Sequence, residues 1–168
     1  YYALDRRDIQ FEVSELSSSM QKPTKGALNR LKRLLRYLIG TKDFHVVWQK
    51  SSHPDQQGWN LQIWGFADSD WAGDPETRKS TSGAEAFVSE FHLKGICKTQ
   101  PVPSISSTEA ETYGGTTASA DALFITSLCS EIGWNLKARL LMDSSAAWSA
   151  AHRQGMGKMK HMELRHLF

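Results

Sequence analysis

The chain has 168 residues, a length that suits one domain with a substantial core. Its hydrophobic share of 40%, charged share of 23% and formal net charge of +2 are typical of a globular protein and favour no particular partner. Two cysteines, Cys97 and Cys129, are too few for a disulfide framework and lack metal-ligand spacing. No apolar run reaches the length of a membrane span and no signal peptide is recognised, so we expect an intracellular protein without a membrane partner, in an unknown compartment. Both ends of the chain look cut from a longer polypeptide.

The first predicted element is a basic amphipathic helix. Residues 21–42 hold seven Lys and Arg and no acid, and leucines recur there at helical spacing. Thr24 marks the expected start and Gly40 the expected end. The cationic side is either a solvated surface or a contact for nucleic-acid phosphates, whose neutralisation dominates the affinity of nucleic-acid-binding proteins. The phosphate-binding candidates on one side of this helix are Arg30, Arg33 and Arg36.

Four strands are predicted next, at 44–50, 61–68, 84–91 and 94–100. The last three are closely spaced, which favours an antiparallel meander. The polar loop between the second and third of these strands is either solvated or in contact with phosphate. Its candidate residues are Arg78, Lys79, Ser80, Thr81 and Ser82.

A long helix is predicted over 106–133, followed by a strand at 138–143, a helix at 144–154 and a third helix from about Lys158. Ser107 or Thr108 is the expected N-cap of the long helix, and Gly133 its C′ residue.

The long helix contains two adjacent glycines, Gly114 and Gly115. Each costs about 1 kcal/mol relative to alanine inside a helix, so we expect a close approach to a neighbouring backbone, most simply the sheet. Glu111 lies on the same small-residue side and is unusual there, because a buried carboxylate needs a partner or a metal. Glu109 falls on the side predicted to be polar.

Carboxylates follow two of the predicted strands. Because crossover connections are right-handed, the strand at 138–143 can lie beside the one at 61–68, with the long helix covering one face. Asp68 and Asp143 would then be neighbours, and Glu111 would project from the helix. Three oxygen ligands suit Mg²⁺, and two such ions about 3.5–4 Å apart can clamp a phosphoryl displacement. Asp70 is expected to be a turn or supporting residue.

Three motifs in this order and spacing closely resemble the RNase H domain of copia-type LTR retrotransposon polyproteins. They are FADSDWAGDPETRKSTSG (66–83), SISSTEAETY (104–113) and MDSSAA (142–147). The segment KMKHMELRHLF (158–168) resembles the next segment of the same family, and residues 3–41 look like the connection that joins the reverse transcriptase to that domain. The resemblance covers nearly the whole chain.

This resemblance implies an α/β, RNase H-like fold: a mixed sheet with an antiparallel three-strand meander, parallel strand pairing and covering helices. Residues 1–42 would be the helical, basic connection segment and residues 43–168 the RNase H-like domain. The implied activity is endonucleolytic hydrolysis of the RNA strand of RNA–DNA hybrids during reverse transcription, with two Mg²⁺ ions and Mn²⁺ as an alternative. The implied partners are the hybrid and the reverse transcriptase domain of the same polyprotein.

The resemblance also assigns roles to the acids. Asp68 matches the family's first-strand aspartate, Glu111 its helix glutamate and Asp143 its fourth-strand aspartate, which together ligate the metals. The family has a further strand and a terminal helix with a fourth metal-binding aspartate, and we expect both elements to be missing here; Glu163 is the late acid that could replace that aspartate. The alternative function is a non-catalytic nucleic-acid-binding remnant that holds template and primer.

Overall fold

The computed structural model describes Ala3 and residues 6–47 and 61–153. The chain divides into two compact units, residues 1–50 and 51–168. This division falls after residue 50, whereas the sequence-based boundary falls after residue 42. None of the described helices is both long enough and apolar enough to cross a lipid bilayer.

The described part of the first unit is helical. A 3-10 turn at Arg7–Ile9 leads into helix α1 (Gln10–Ser18), and helix α2 follows at Lys25–Gly40. The predicted start of the basic helix is confirmed, because the Thr24 hydroxyl caps α2 by accepting a hydrogen bond from the Ala27 N–H at 3.1 Å. Among the described residues of α2, only Leu34 is buried. Most of the leucine-bearing side of the helix is therefore exposed.

A polar clamp holds the start of this unit to the end of α2. The Arg6 guanidinium donates to the Thr41 carbonyl at 2.9 Å and pairs with Asp8 at 2.7 Å. The Tyr37 hydroxyl donates to the same carboxylate, also at 2.7 Å. The hydrogen bond from Arg6 is the largest of the influences that lower the pKa of Asp8 to about 2.

The described part of the second unit is a mixed sheet covered by a long helix. Its strands are β1 (Ile63–Asp70), β2 (Thr81–Val88), β3 (Phe91–Thr99) and β4 (Ala138–Met142), and they lie in the order β3-β2-β1-β4. β1 pairs antiparallel with β2, and β2 with β3, whereas β1 and β4 are parallel. The α/β fold class with its meander and parallel pair is confirmed, and it is consistent with an RNase H-like fold.

Helices α3 (Ser107–Glu131) and α4 (Ser145–Ala151) complete the described elements of this unit. The N-cap of α3 is Ser106, which precedes both predicted candidates; its hydroxyl accepts from the Glu109 N–H at 3.2 Å. Gly133 has the expected left-handed backbone, with φ of 87°, just beyond the helix end.

Some predicted boundaries were wrong. Residues 44–47 form no strand, and the remainder of the strand predicted at 44–50 lies outside the described residues, as does the helix predicted from Lys158. Strand β2 begins at Thr81, inside the stretch predicted to be a polar loop. The strand can include polar residues because their buried groups are hydrogen-bonded: the buried Ser82 hydroxyl shares a hydrogen bond with Ser69 on β1.

Helix α3 packs on β1, β2 and β4, and the layer between helix and sheet changes along its length. At one end it is filled by larger apolar side chains, among them Ile63, Val88 and Ile125. Midway it contains only small residues in its buried core, Ala67, Ala84 and Ala118.

At the other end of this layer the helix has no side chains at Gly114 and Gly115. A Cβ at Gly114 would lie 2.6 Å from the Ser69 Oγ on β1, and one at Gly115 would lie 2.8 Å from the Met142 Sδ on β4. The predicted close approach between helix and sheet is confirmed. It brings α3 against the two parallel strands that lead to Asp68 and Asp143.

Candidate metal centre

Three acids from three elements converge at the narrow end of the helix–sheet layer. Asp68 lies near the end of β1, Asp143 follows β4, and Glu111 lies near the N-terminus of α3. Each offers one carboxylate oxygen, and these oxygens all lie within 4.8 Å of one another. The residues that the sequence placed together are together in the structure.

The parallel pairing of β1 and β4 explains why the two aspartates meet. The paired residues run from Ile63 opposite Ala138 to Ala67 opposite Met142. The next residue of each chain segment is an aspartate, so Asp68 and Asp143 leave the pair at the same edge of the sheet. Glycines on α3 then let the helix bring Glu111 to that edge.

Glu111 differs from its two neighbours in burial. It is only 8% exposed, whereas Asp68 and Asp143 are exposed. Burial raises the pKa of Glu111, and the charges of Asp68 and Asp143 raise it further, while a hydrogen bond from the backbone N–H of Ser69 opposes them. Like charges thus face each other across a partly desolvated space.

The cluster is suited to a cation. The buried Oε2 of Glu111 has no hydrogen-bond partner in the described structure. An unpaired buried oxygen is costly, and a cation held jointly with two exposed carboxylates would satisfy it. The three acidic residues could therefore bind a metal ion, and their all-oxygen donor set suits a hard divalent cation.

Glu109 was expected on a polar side of α3, and this expectation was wrong. Glu109 is 3% exposed and its Oε2 accepts a hydrogen bond from the Ile105 N–H at 2.7 Å. With Ser106 as N-cap, it forms a variant of the capping box, in which an acid three residues into the helix returns to the backbone before it. Glu109 therefore secures the start of the helix, and the metal cluster contains Glu111 instead.

Asp70 lies outside the three-acid cluster. Its carboxylate folds over Gly73, so closely that a Cβ at Gly73 would overlap the Oδ2 of Asp70. This placement agrees with the expectation of a turn residue.

The loop before β2 is organised by internal hydrogen bonds. The Asp74 carboxylate accepts hydrogen bonds from the Thr77 hydroxyl and, at 2.9 Å, from the Glu76 N–H. These two bonds, the first more than the second, lower the pKa of Asp74. Arg78 is exposed and has a left-handed backbone, with φ of 57°.

Lys79 and Ser80, which were also predicted to contact phosphate, differ in exposure. Lys79 is half-buried, and Ser80 is fully buried, with its hydroxyl accepting a hydrogen bond from the Ala72 N–H at 3.0 Å. Its burial gives Ser80 a structural position in the loop, and Ser82 is likewise buried. Neither hydroxyl is placed to meet a ligand at the surface.

The three arginines of the basic helix are exposed but not equivalent. Arg30 forms an ion pair with Glu15 of α1 at 3.3 Å. Arg33 and Arg36 have no ion-pair partner within the described residues. Glu163, the candidate for a fourth acid, lies outside the described residues.

The sequence did not reveal the buried polar side chains behind the acids. Ser69, Ser82, Gln100 and Ser104 are each less than 10% exposed and hydrogen-bonded to one another in series. The sequence gives only a weak indication of this network, because polar residues at strand ends usually belong to loops. The pairing register of the strands shows that these residues are internal.

The fold and site define an α/β unit with an acidic edge whose three carboxylates could bind a metal ion. Curated relatives show which proteins this chain is similar to. The chain is 32% identical over 171 residues to the retrovirus-related Pol polyproteins from transposons RE2 and RE1 of Arabidopsis thaliana, an alignment that covers 100% of this chain and 11% of each relative. It is also 32% identical over 126 residues to secreted RxLR effector protein 161 of Plasmopara viticola, covering 72% of this chain and 80% of that protein.

Over its whole length, this chain is therefore homologous to a segment of retrovirus-related Pol polyproteins from plant retrotransposons. It spans about a tenth of the length of the polyproteins that it matches, since 11% of each is covered. No protein-family model matches the chain. No solved structure gives a significant match.

Proposed function

We propose that the acidic edge is the active site of a ribonuclease H, which cuts the RNA strand of RNA–DNA hybrids inside a reverse-transcribing element. The observation that carries the proposal is the convergence of the Asp68, Glu111 and Asp143 carboxylates within 4.8 Å. The similarity to Pol polyproteins supports it, because such an element must process nucleic acid.

The proposed cofactor is a pair of Mg²⁺ ions, with Mn²⁺ as a substitute. All three candidate ligands are carboxylates, which these hard cations prefer over softer ligands. When bound, such a pair stabilises the attacking and leaving oxygens of an in-line displacement at phosphorus. Asp68 and Asp143, being exposed, would face the substrate side, while Glu111 would hold the cations from the protein side.

The chain's own contribution is to keep the three carboxylates together against their repulsion. The pairing of β1 with β4 fixes the two aspartates, and the packing of Gly114 against Ser69 fixes the helix that carries Glu111. Because the framework holds these groups before the cations arrive, binding requires little reorganisation.

The direct test is cleavage of a labelled RNA–DNA hybrid with and without Mg²⁺. Asp68→Asn keeps the size of the side chain but removes one charge, and we expect hybrid cleavage to fall by more than about 100-fold, beyond the usual cost of losing an outer partner of a metal site. Asp70→Asn is the matched control, because Asp70 lies two residues away on the same strand but outside the cluster. Equal cleavage by wild type and Asp68→Asn would refute the proposal.

We further propose that the hybrid's backbone is held in part by the basic helix α2, preceding the RNase H-like domain that we assign to residues 43–168. Arg33 and Arg36 are exposed and unpaired in the described structure, whereas the charge of Arg30 is matched by Glu15. Replacing Arg33 and Arg36 with Gln should reduce the salt dependence of hybrid binding by about one unit of slope per lost phosphate contact.

Arg30→Gln is the matched control for this helix and should change the salt dependence less. An unchanged slope in the Arg33 and Arg36 double variant would show that α2 is a solvated surface or packs on another part of the polyprotein, such as the reverse transcriptase domain. The same exposed cations favour the second candidate function, a non-catalytic module that holds template and primer. Binding of hybrid without Mg²⁺-dependent cleavage would support that second candidate.

A further inference from the structure

A buried chain of hydrogen bonds connects the strand that carries Asp68 with the helix that carries Glu111. Ser69, directly after Asp68, shares a hydrogen bond with Ser82 on β2 between their Oγ atoms at 3.0 Å. The Gln100 Nε2 donates to the same Ser82 Oγ at 2.8 Å and to the Ala110 carbonyl at 2.9 Å. Ala110 directly precedes Glu111, so the chain of bonds begins and ends beside a candidate metal ligand.

Gln100 is the centre of this network. It is 4% exposed, and its backbone N–H donates to the Ser80 carbonyl at 2.8 Å, which fixes its position just after β3. Its Oε1 accepts from the Ser104 hydroxyl at 2.7 Å. Both donor positions and the acceptor of the side-chain amide are therefore used, which leaves the group one favoured orientation.

The hydrogen bond from Gln100 to the Ala110 carbonyl joins a helix backbone to a side chain outside the helix. Nearly all backbone groups of a helix are satisfied by the helix itself, so a side-chain amide that adds a bond near a helix start ties that turn to a specific neighbour. Here the neighbour is the sheet, through Ser82 and Ser69. Packing at Gly114 brings α3 close to Ser69, and the amide of Gln100 joins the first turn of the helix to β2.

We infer that Gln100 is a positioning residue for the acid cluster: through Ser82 and Ala110 it sets the separation between Asp68 and Glu111. This inference rests on the proposed function, because it assigns Gln100 to the preparation of the same metal site. Gln100 itself touches none of the three carboxylates in the hydrogen bonds described, so it acts through the backbone on either side of them.

Gln100→Met tests the inference, since methionine is an unbranched side chain of similar length that removes all three polar contacts. The probe is Mn²⁺ in the absence of nucleic acid. Electron paramagnetic resonance distinguishes the free from the bound ion and so measures the affinity. We expect affinity to fall by about 10-fold or more, as for other partners that orient metal ligands. Ser82→Ala removes the hydroxyl that joins Gln100 to Ser69 but keeps the contact of Gln100 with Ala110. It should weaken Mn²⁺ binding less and provides a second variant if Gln100→Met folds poorly.

Two further variants separate positioning from general loss of stability. Ser104→Ala removes the partner of the Gln100 Oε1 but keeps both donor contacts, so it should weaken Mn²⁺ affinity less than Gln100→Met does. Ile125→Val is the stability control: it lowers stability in the apolar cluster at the other end of α3 and should leave Mn²⁺ affinity unchanged.

Wild-type affinity in Gln100→Met would overturn the inference while leaving the proposed function standing. If wild type itself bound no Mn²⁺ and cleaved no hybrid, the proposed function would fail instead. The positioning role would then be decided by crystal structures of wild type and Gln100→Met. Carboxylates of Asp68 and Glu111 that separate in the variant would support it, and unmoved carboxylates would overturn it.

Discussion

The two ends of the helix–sheet layer beneath α3 are built from different chemistry. At one end Ile63, Val88 and Ile125 fill the space with apolar side chains. At the other end the space narrows to Gly114, and the neighbouring side chains are the hydroxyls of Ser69 and Ser82. The apolar end can be packed by any side chains of suitable volume, whereas the polar end requires specific partners at specific distances. We infer that the first end supplies most of the stability and the second the geometry of the acids.

The largest expected effect on stability is at the apolar end. Ile63 is completely buried on β1, so Ile63→Ala should lower the free energy of unfolding by about 2–5 kcal/mol. Mn²⁺ affinity of the molecules that remain folded should not change, because Ile63 is far along the strand from Asp68. Chemical denaturation and ion titration on the same sample measure both quantities. A parallel loss of metal affinity would show that the two ends are coupled and would break the comparison.

The next largest effect is at the point of closest approach. Gly114→Ala places a Cβ against the Ser69 hydroxyl and should destabilise the protein by about 1–3 kcal/mol, in spite of the better helix propensity of alanine.

Gly115→Ala is the matched control for that substitution. The nearest atoms there are the Sδ and Cε of Met142, at the far end of a flexible side chain, so the gain of about 1 kcal/mol in helix propensity should offset much of the strain. Thermal or chemical unfolding of the two variants should therefore differ clearly. Equal losses would mean that the hydroxyl of Ser69 can move aside as readily as a methionine.

A smaller effect is expected at the cap of α3. Ser106→Ala removes the hydroxyl that accepts from the Glu109 N–H and should cost about 1 kcal/mol of stability. Ser107→Ala changes the adjacent exposed serine, which does not cap the helix, and should have little effect on the unfolding midpoint. If Ser107→Ala were the more costly change, the helix would begin one residue later in solution, in agreement with the capping pattern of the sequence.

The smallest expected effect is a gain in stability at the acid cluster without metal. Because the pKa of Glu111 is raised in the folded state, that state binds more protons than the unfolded state at pH values between the two pKa values, and stability falls as pH rises through this range. Glu111→Gln should therefore be more stable than metal-free wild type at neutral pH. The difference should vanish below the unfolded-state pKa of about 4.3.

Asp8→Asn should show the opposite dependence of stability on pH. Its pKa is lowered to about 2, so the stability that Asp8 contributes is present above its unfolded-state pKa and is lost as pH falls towards 2. Asp8→Asn should be less stable than wild type at neutral pH and equal to it in strong acid. Unfolding midpoints measured from acid to neutral pH should show both trends; Glu111→Gln that is destabilised at neutral pH would contradict the electrostatic account of the cluster.

Sequence periodicity and capping residues determined much of the secondary structure of this protein. Helix α2 was predicted from its leucine spacing, from Thr24 and from Gly40, because all three are local signals. The meander and the parallel strand beside β1 followed from short connections and the handedness of crossovers. The grouping of Asp68, Glu111 and Asp143 then followed from the ends of the elements.

Only the tertiary structure decided which polar residues are internal. Glu109 and Ser80 look like surface residues in the sequence, yet both are buried because the backbone N–H groups of Ile105 and Ala72 donate hydrogen bonds to them. The link from Ser69 through Gln100 to Ala110 joins segments far apart in the chain, and no local pattern records such a bond. Local propensity acts over a few residues, whereas burial of a polar group depends on which partners the whole fold brings to it.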